Sequence, residues 1–115
     1  MAKSKKKKFA LQADEIVLLA EGHGACFATD MITVEGRKVG YIYREEPDEE
    51  IDSGWRFTAG RESPEYMDDA ANIAIYDVNT VANYDPEIIP LLHAPIGSVF
   101  EREGGAGGFV VVEDE

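Results

Sequence analysis

Histidine, cysteine and carboxylate side chains are the groups of this chain that could bind a metal ion or act as a nucleophile. His23 and Cys26 are separated by two residues, a spacing that could suit zinc binding. The same pair could act as a Cys–His nucleophile and base, but the two members of such a pair are normally distant in sequence. A structural zinc site needs about four ligands, and only His93 and carboxylates remain to supply them. We therefore favour a buried thiol beside a loop histidine, and we predict no metal, no cofactor and no catalytic residue.

A second candidate is a run of carboxylates between two strand-like stretches, here called the acidic loop (residues 45–52). Its acidic members are Glu45, Glu46, Asp48, Glu49, Glu50 and Asp52. No basic residue separates them, so their repulsion indicates either a solvated turn or a surface for a positively charged partner. Carboxylates in such a run could also bind calcium, but the central glycine of an EF-hand calcium loop is absent, and we predict no calcium site. We predict that these six carboxylates contact a partner protein, with Trp55 as an anchor; the alternative places Trp55 in the core.

Other catalytic patterns are incomplete. The glycines at 104–108 lack the Lys-Ser/Thr pair of a phosphate-binding loop. Ser53 lacks the glycine two positions earlier that a serine nucleophile elbow requires. Carboxylates for acid–base chemistry are plentiful, but no activating context can be read from the sequence. An enzyme would need a deep pocket that gathers Arg44, Arg56, Asp77 and a tyrosine hydroxyl, and we predict a non-enzymatic protein.

The charge of the chain is unevenly distributed. Its 115 residues carry a net charge of −12, with 44% hydrophobic residues. Five lysines lie within residues 1–8, so the chain from Phe9 onward has six basic residues against all 23 acidic ones. We predict a disordered basic tail at 1–8 and a single domain at 9–115. An acidic body repels nucleic-acid phosphates and attracts basic proteins, so we expect a protein partner and no nucleic acid.

No stretch approaches the roughly 18 apolar residues of a membrane span, and we expect no membrane partner. The apolar run at 16–20 is too short for the hydrophobic part of a signal peptide. Cys26 is the single cysteine and excludes an internal disulfide. These features predict a cytoplasmic protein.

Local patterns predict a sheet followed by short helices. Residues 14–21 are expected to form a short helix, with a strand as the competing interpretation. Residues 25–34 and 37–45 are expected to form a hairpin around Glu35-Gly36, and 54–60 a third strand. Apolar residues on both faces of the second strand predict a central position in the sheet.

Three sites carry helix-start signals, at Ser63-Pro64, Asp77 and Asp85-Pro86. Short strands are expected at 73–76, 98–102 and 109–112. Strands that cluster early and helices that follow later predict an α+β fold. We expect a mainly antiparallel sheet of about five or six strands with short helices packed on one face.

Several ordered blocks resemble a known bacterial family. They read GYIYREEPD, DSGWRF, YMDD, NIAIYDVNTVANYDPEIIPLL and PIGSVFER. They are similar to a domain of unknown function that has been reassigned as a predicted immunity protein of polymorphic toxin systems, immunity protein family thirty-three. The resemblance covers about residues 24–102. The matching motif positions are Tyr43, Arg44, Glu45, Asp52, Gly54, Trp55, Arg56, Tyr76, Asn79, Tyr84 and Pro86.

The resemblance implies a non-enzymatic protein that neutralises a cognate toxin, and the acidic loop suggests that this toxin is basic. The family supplies no catalytic or ligand residues to carry over. The alternative hypothesis is a small housekeeping module that binds another protein or forms a homodimer through its sheet.

Overall fold

A computed structural model gives the architecture and describes residues 7–103 and 108–112. These residues form a six-stranded sheet accompanied by short helices. The strands are β1 (Ala25–Thr29), β2 (Tyr41–Arg44), β3 (Asp52–Thr58), β4 (Ile73–Asp77), β5 (Val99–Arg102) and β6 (Phe109–Val111). The α-helices are α1 (Asp30–Thr33), α2 (Pro64–Asp68) and α3 (Val78–Tyr84), and 3-10 helices span Ala13–Glu15, Ala70–Asn72 and Pro86–Leu91.

The strand order in the sheet is β4-β1-β3-β2-β5-β6. β1 and β3 are parallel, whereas the other four neighbouring pairs are antiparallel. The predicted α+β class with a mainly antiparallel sheet is therefore confirmed. β2 lies between β3 and β5, in the central position that its two apolar faces predicted.

The predicted hairpin between residues 25–34 and 37–45 is wrong. The chain leaves β1 at Thr29 and enters α1, so residues 30–33 are helical. Gly36 follows this helix with φ +76°, and its amide donates to the Ile32 carbonyl. The Glu35-Gly36 signal thus marks the end of a helix, where a left-handed glycine is common, and β1 pairs with β3 and β4 instead of β2.

The helix predicted at 14–21 is also wrong beyond its first turn, because only Ala13–Glu15 is helical. The backbone amides of Leu19 and Ala20 both donate to the side-chain oxygen of Asn79, at 2.7 and 2.8 Å. Since α3 supplies the acceptor for these two amides, the segment lies against that helix without forming a helix of its own.

The three predicted helix starts are confirmed by their caps. The Ser63 hydroxyl accepts from the Tyr66 amide at 3.1 Å. The Asp77 carboxylate accepts from Asn79 at 2.8 Å, and that of Asp85 accepts from Glu87 at 3.2 Å. Each cap satisfies an amide that the first turn leaves without a partner.

The hydrophobic core lies between one face of the sheet and α1, α3 and the 3-10 helix that follows. Trp55 and Phe57 of β3 are each 1% exposed and stack with ring centroids 6.1 Å apart. Trp55 also stacks on Phe100 of β5 at 6.5 Å. Ile32 and Val81 close the layer from the helices, and both are fully buried.

A buried ion pair joins β5 to the residues after α3. Asp85 is completely buried, accepts from the Val39 amide at 3.1 Å and binds the Arg102 guanidinium. Arg102 also donates to the Val39 carbonyl at 2.9 Å and lies 4.4 Å from the ring centre of Phe109. Because both charges are paired and hydrogen-bonded, their burial is tolerated.

Two predicted segments fall largely outside the described residues. The disordered tail predicted at 1–8 overlaps the described part only at Lys7 and Lys8, and Lys7 forms an ion pair of 2.8 Å with Asp30. The glycine-rich turn predicted at 104–108 overlaps it only at Gly108.

Candidate partner-binding surface

The acidic loop connects β2 to β3, as the sequence indicated, and four of its carboxylates point away from the protein. Glu46, Asp48, Glu49 and Glu50 are exposed. Within the part of the chain that the structure describes, their side chains form no ion pair or hydrogen bond. Four negative charges within five residues therefore face solvent, and no described side chain compensates them with a positive charge.

The other two carboxylates of the loop are bound by the buried side chain of Arg56. Its guanidinium holds Asp52 through two bonds of 2.9 Å and Glu45 through one of 2.5 Å. The guanidinium also lies 4.5 Å from the ring centre of Phe27. Arg56 is only 4% exposed. Its hydrogen bonds to Asp52 hold the pKa of that carboxyl far below its usual range.

Asp52, whose side chain is 11% exposed, thus anchors the base of the loop, whereas the Glu45 side chain is bound to Arg56 but still 51% exposed. The sequence pattern places Arg56 on the strand face opposite Trp55, but it does not show which of the six carboxylates the guanidinium binds. The structure places Arg56 on the face of β3 opposite the core, directly beside Phe27 of β1.

Trp55 is not an exposed anchor, and the prediction that it contacts a partner is wrong in this structure. Its side chain points to the helix-covered face of β3, where it packs in the core with 1% exposure. The Arg44 guanidinium lies 5.4 Å from the centre of its ring. A partner could reach this indole only if the core opened.

Two exposed isoleucines at the acidic loop provide the apolar contact area that the buried Trp55 cannot provide. Ile51 is 69% exposed and Ile75 is 65% exposed. Together with Asp48 and Glu49 they line a shallow depression of about 100 Å³. An isoleucine inside an acidic run was a readable signal for Ile51, whereas Ile75 becomes a neighbour only because β4 pairs with β1.

Hydrogen bonds fasten the second half of the loop to β1 and β3. The Ala25 amide donates to the Ile51 carbonyl at 2.8 Å, and the Ser53 hydroxyl donates to the Ala25 carbonyl at 2.6 Å. The Asp48 amide donates to the Asp52 carboxylate at 2.9 Å. A loop tied to two strands loses little entropy when a partner binds.

The other candidate chemical groups are not brought together. Cys26 is 1% exposed on β1, and burial followed by the nearby Asp77 charge raises the pKa of its thiol. His23 instead contacts His93, with ring centroids 5.6 Å apart. Across residues 7–103 and 108–112, no group of three or more histidine, cysteine or acidic side chains could hold a metal ion.

The pocket required by the enzyme hypothesis is not formed by its proposed residues. Arg44 donates to the carbonyls of Ser53 and Ala94, at 2.9 and 2.7 Å, beside the core indole. Arg56 lies on the opposite face of the sheet with Asp52. Strand alternation therefore separates the two arginines.

The fold and this surface define a small α+β protein that presents a rigid acidic loop flanked by exposed isoleucines. The family model described as Immunity protein Imm33 domain matches residues 26–113, and the chain belongs to this family. No curated protein and no solved structure matches the chain. None of the described helices combines the length and the apolar character needed to cross a membrane.

Several residues that carry the family resemblance have structural roles. Asn79 holds the segment before β1, as described above. The Tyr84 hydroxyl accepts from the Leu11 amide at 3.1 Å and donates to the Thr33 carbonyl at 3.0 Å. These side chains therefore fasten the N-terminal segment to α1 and α3.

Proposed function

We propose that this protein is a non-enzymatic immunity protein that binds a cognate basic toxin through the acidic loop. Its membership of the immunity-protein family supports a toxin-neutralising role. The observation that carries the mechanism is the set of four exposed carboxylates, unpaired within the described residues, on a loop whose base is fixed by Arg56. Such a surface favours a partner of opposite charge.

The physical basis is electrostatic steering followed by local packing. A toxin that acts on nucleic acid needs a positively charged cleft for phosphate, and a rigid acidic surface can occupy that cleft. The carboxylates accelerate encounter, whereas Ile51 and Ile75 provide apolar area at the point of contact. Interfaces of this kind depend on a few buried side chains surrounded by polar ones.

The first step of the test is to inspect the genes beside this one for a toxin domain, which is then expressed in a bacterial host with and without the protein. The unmodified protein should restore growth and bind the purified toxin domain. The loop variant carries four substitutions: Glu46→Gln, Asp48→Asn, Glu49→Gln and Glu50→Gln. Its on-rate for the toxin domain at low salt should be at least about tenfold lower, because electrostatic steering changes on-rates by about 10–1,000-fold.

A matched control removes the same number of charges from other exposed positions. This control is Glu21→Gln, Glu65→Gln, Asp68→Asn and Glu103→Gln. It has the same net charge as the loop variant, so only the position of the lost charges differs. Equal binding by the two variants would exclude the acidic loop as the contact surface, and failure of the unmodified protein to protect the host would exclude the immunity role.

A second candidate is a self-associating module, favoured by the exposed edge of the sheet. β6 is an edge strand whose Val110 and Val111 are 42% and 60% exposed. Such an edge can pair with another copy of the chain. Gel filtration over a range of concentrations separates the two functions: a stable homodimer that does not bind the neighbouring toxin domain would favour self-association.

A further inference from the structure

A cleft of about 580 Å³ lies at the other end of the β2–β3 hairpin from the acidic loop. We call it the basic cleft, because Arg37, Lys38, Arg61 and Arg102 all line it. The residues before β2, those after β3 and the end of β5 form its walls. Seven residues of β3 separate it from the acidic loop by roughly 20 Å.

The concentration of positive charge here is unusual for so acidic a chain. From Phe9 onward the sequence has six basic residues, and four of them line this cleft. The other two, Arg44 and Arg56, are hydrogen-bonded to the protein itself. The pairing of β2 with β3 and β5 brings together cations that are far apart in sequence.

Three of these cations are available to a ligand. The side chains of Lys38 and Arg61 are exposed and make no hydrogen bond or ion pair within the described structure. Arg37 contacts Glu35 at 2.9 Å, but both side chains are nearly half exposed. Solvent makes such a pair weak, so Arg37 can exchange it for a ligand. Arg102 is already bound to Asp85 and Glu87 and serves as a wall.

The lining also indicates how a ligand would be recognised. Gly40 and Gly60 contribute a floor without side chains, and none of the described residues that line the cleft is aromatic. Recognition must therefore depend on charge and hydrogen bonding instead of stacking. Arginine forks bind phosphoryl oxygens in pairs, and lysine adds a compact charge. The volume lies within the range of small-molecule sites.

We propose that the basic cleft binds a small molecule that carries two or more phosphoryl groups, held by Arg37, Lys38 and Arg61. Glu101 lines the same cleft and the whole protein is negative, so both oppose an anion. A ligand with two or more phosphoryl groups is favoured over one with a single group, because its oxygens can contact three separate cations of the cleft at once. The site is separate from the acidic loop and does not depend on the proposed toxin.

The proposal is tested by calorimetry and by NMR, with inorganic pyrophosphate as the probe at about 50 mM salt, where screening is limited. Pyrophosphate should bind to one site, shift the amide resonance of Gly60 and bind more tightly than inorganic phosphate. The variant Lys38→Gln with Arg61→Gln should weaken binding at least tenfold, because two charge-assisted contacts are lost. Both positions are exposed, so circular dichroism should show an unchanged fold.

The control variant, Lys7→Gln with Lys8→Gln, also removes two positive charges, but from the N-terminal segment. Its affinity for pyrophosphate should equal that of the unmodified protein. Absence of binding, or equal loss in the two variants, would overturn the proposal. Citrate supplies a carboxylate polyanion of similar charge. If citrate binds as tightly as pyrophosphate, the assignment to phosphoryl groups is wrong.

Discussion

At the scale of single residues, six similar carboxylates have two different roles. Asp52 and Glu45 are bound by a buried guanidinium, whereas the four between them face solvent. Arg56 decides this division, because its side chain can reach only the two carboxylates at the base of the loop. The same arginine therefore supports both the fold and the shape of the proposed contact surface.

Replacing Arg56 by methionine should lower the free energy of unfolding by about 3 kcal/mol. The substitution leaves Asp52, 11% exposed, without its cation, and breaking a buried pair costs about 3–5 kcal/mol. Urea unfolding measures the change. Arg61→Met is the control, since that arginine is exposed and makes no ion pair with any described residue, and it should change stability by no more than about 0.5 kcal/mol. Equal effects of the two substitutions would contradict the anchoring role.

The Asp52 carboxyl should also make stability depend on pH. Its pKa is about 3.9 in an unfolded chain, and Arg56 holds the pKa lower in the folded protein. Its contribution to stability is therefore complete above about pH 5 and is lost as the pH falls through the folded-state pKa. Asp52→Asn should be less stable at pH 7, and its deficit should narrow below about pH 4. A deficit that stays constant from pH 7 to pH 2 would exclude this linkage.

At the scale of elements, the start of the acidic loop packs directly against the backbone of one glycine in β3. Gly54 has φ +89°, and a Cβ atom there would lie 2.2 Å from the Glu45 carbonyl oxygen. Glu45 donates its amide to the Gly54 carbonyl at 2.9 Å. Backbone contact at this point is so close that any side chain must displace the start of the loop.

Gly54→Ala should therefore destabilise the protein more than Gly97→Ala does. Gly97 has a similar φ of +99°, but a Cβ atom added there would have no described atom within 4 Å. The Gly97 variant measures the cost of the left-handed backbone alone, about 1 kcal/mol. We expect the Gly54 variant to lose at least about 1 kcal/mol more in thermal unfolding. Equal losses would show that the contact with Glu45 relaxes freely.

At the scale of the whole molecule, the charges are separated along the β2–β3 hairpin. Exposed carboxylates occupy one end, and the basic cleft occupies the other. A protein of net charge −12 has a strong long-range field, and the acidic loop concentrates part of it at one site. The acidic end is therefore expected to attract a positively charged partner, and the basic cleft a negatively charged ligand.

If the acidic loop binds a basic toxin domain as proposed, the on-rate of that binding should fall steeply as salt rises. Raising ionic strength from about 0.05 to 0.5 M shortens the Debye length from roughly 14 to 4 Å, so steering by exposed carboxylates is lost. We expect at least a tenfold decrease, measured by stopped-flow mixing, with a much smaller change in the off-rate. An on-rate that barely changes would contradict the acidic-loop mechanism.

The sequence by itself determined features that depend on neighbouring residues. Helix starts at Ser63, Asp77 and Asp85 were predictable, because a cap binds amides only two or three positions away. The position of the acidic loop between two strands was readable for the same reason. The family resemblance over residues 24–102 was likewise present in short ordered blocks, and the family match at 26–113 agrees with it.

Only the tertiary structure decided which distant residues meet. The parallel pairing of β1 with β3 replaced a predicted hairpin, and it placed Phe27 against Arg56. The pairing of β4 with β1 brings the exposed Ile75 beside Ile51, and packing of the sheet face buries Trp55. Strand order is set by burial of the whole sheet face and not by local propensity, so these contacts have no signature in any short stretch of sequence.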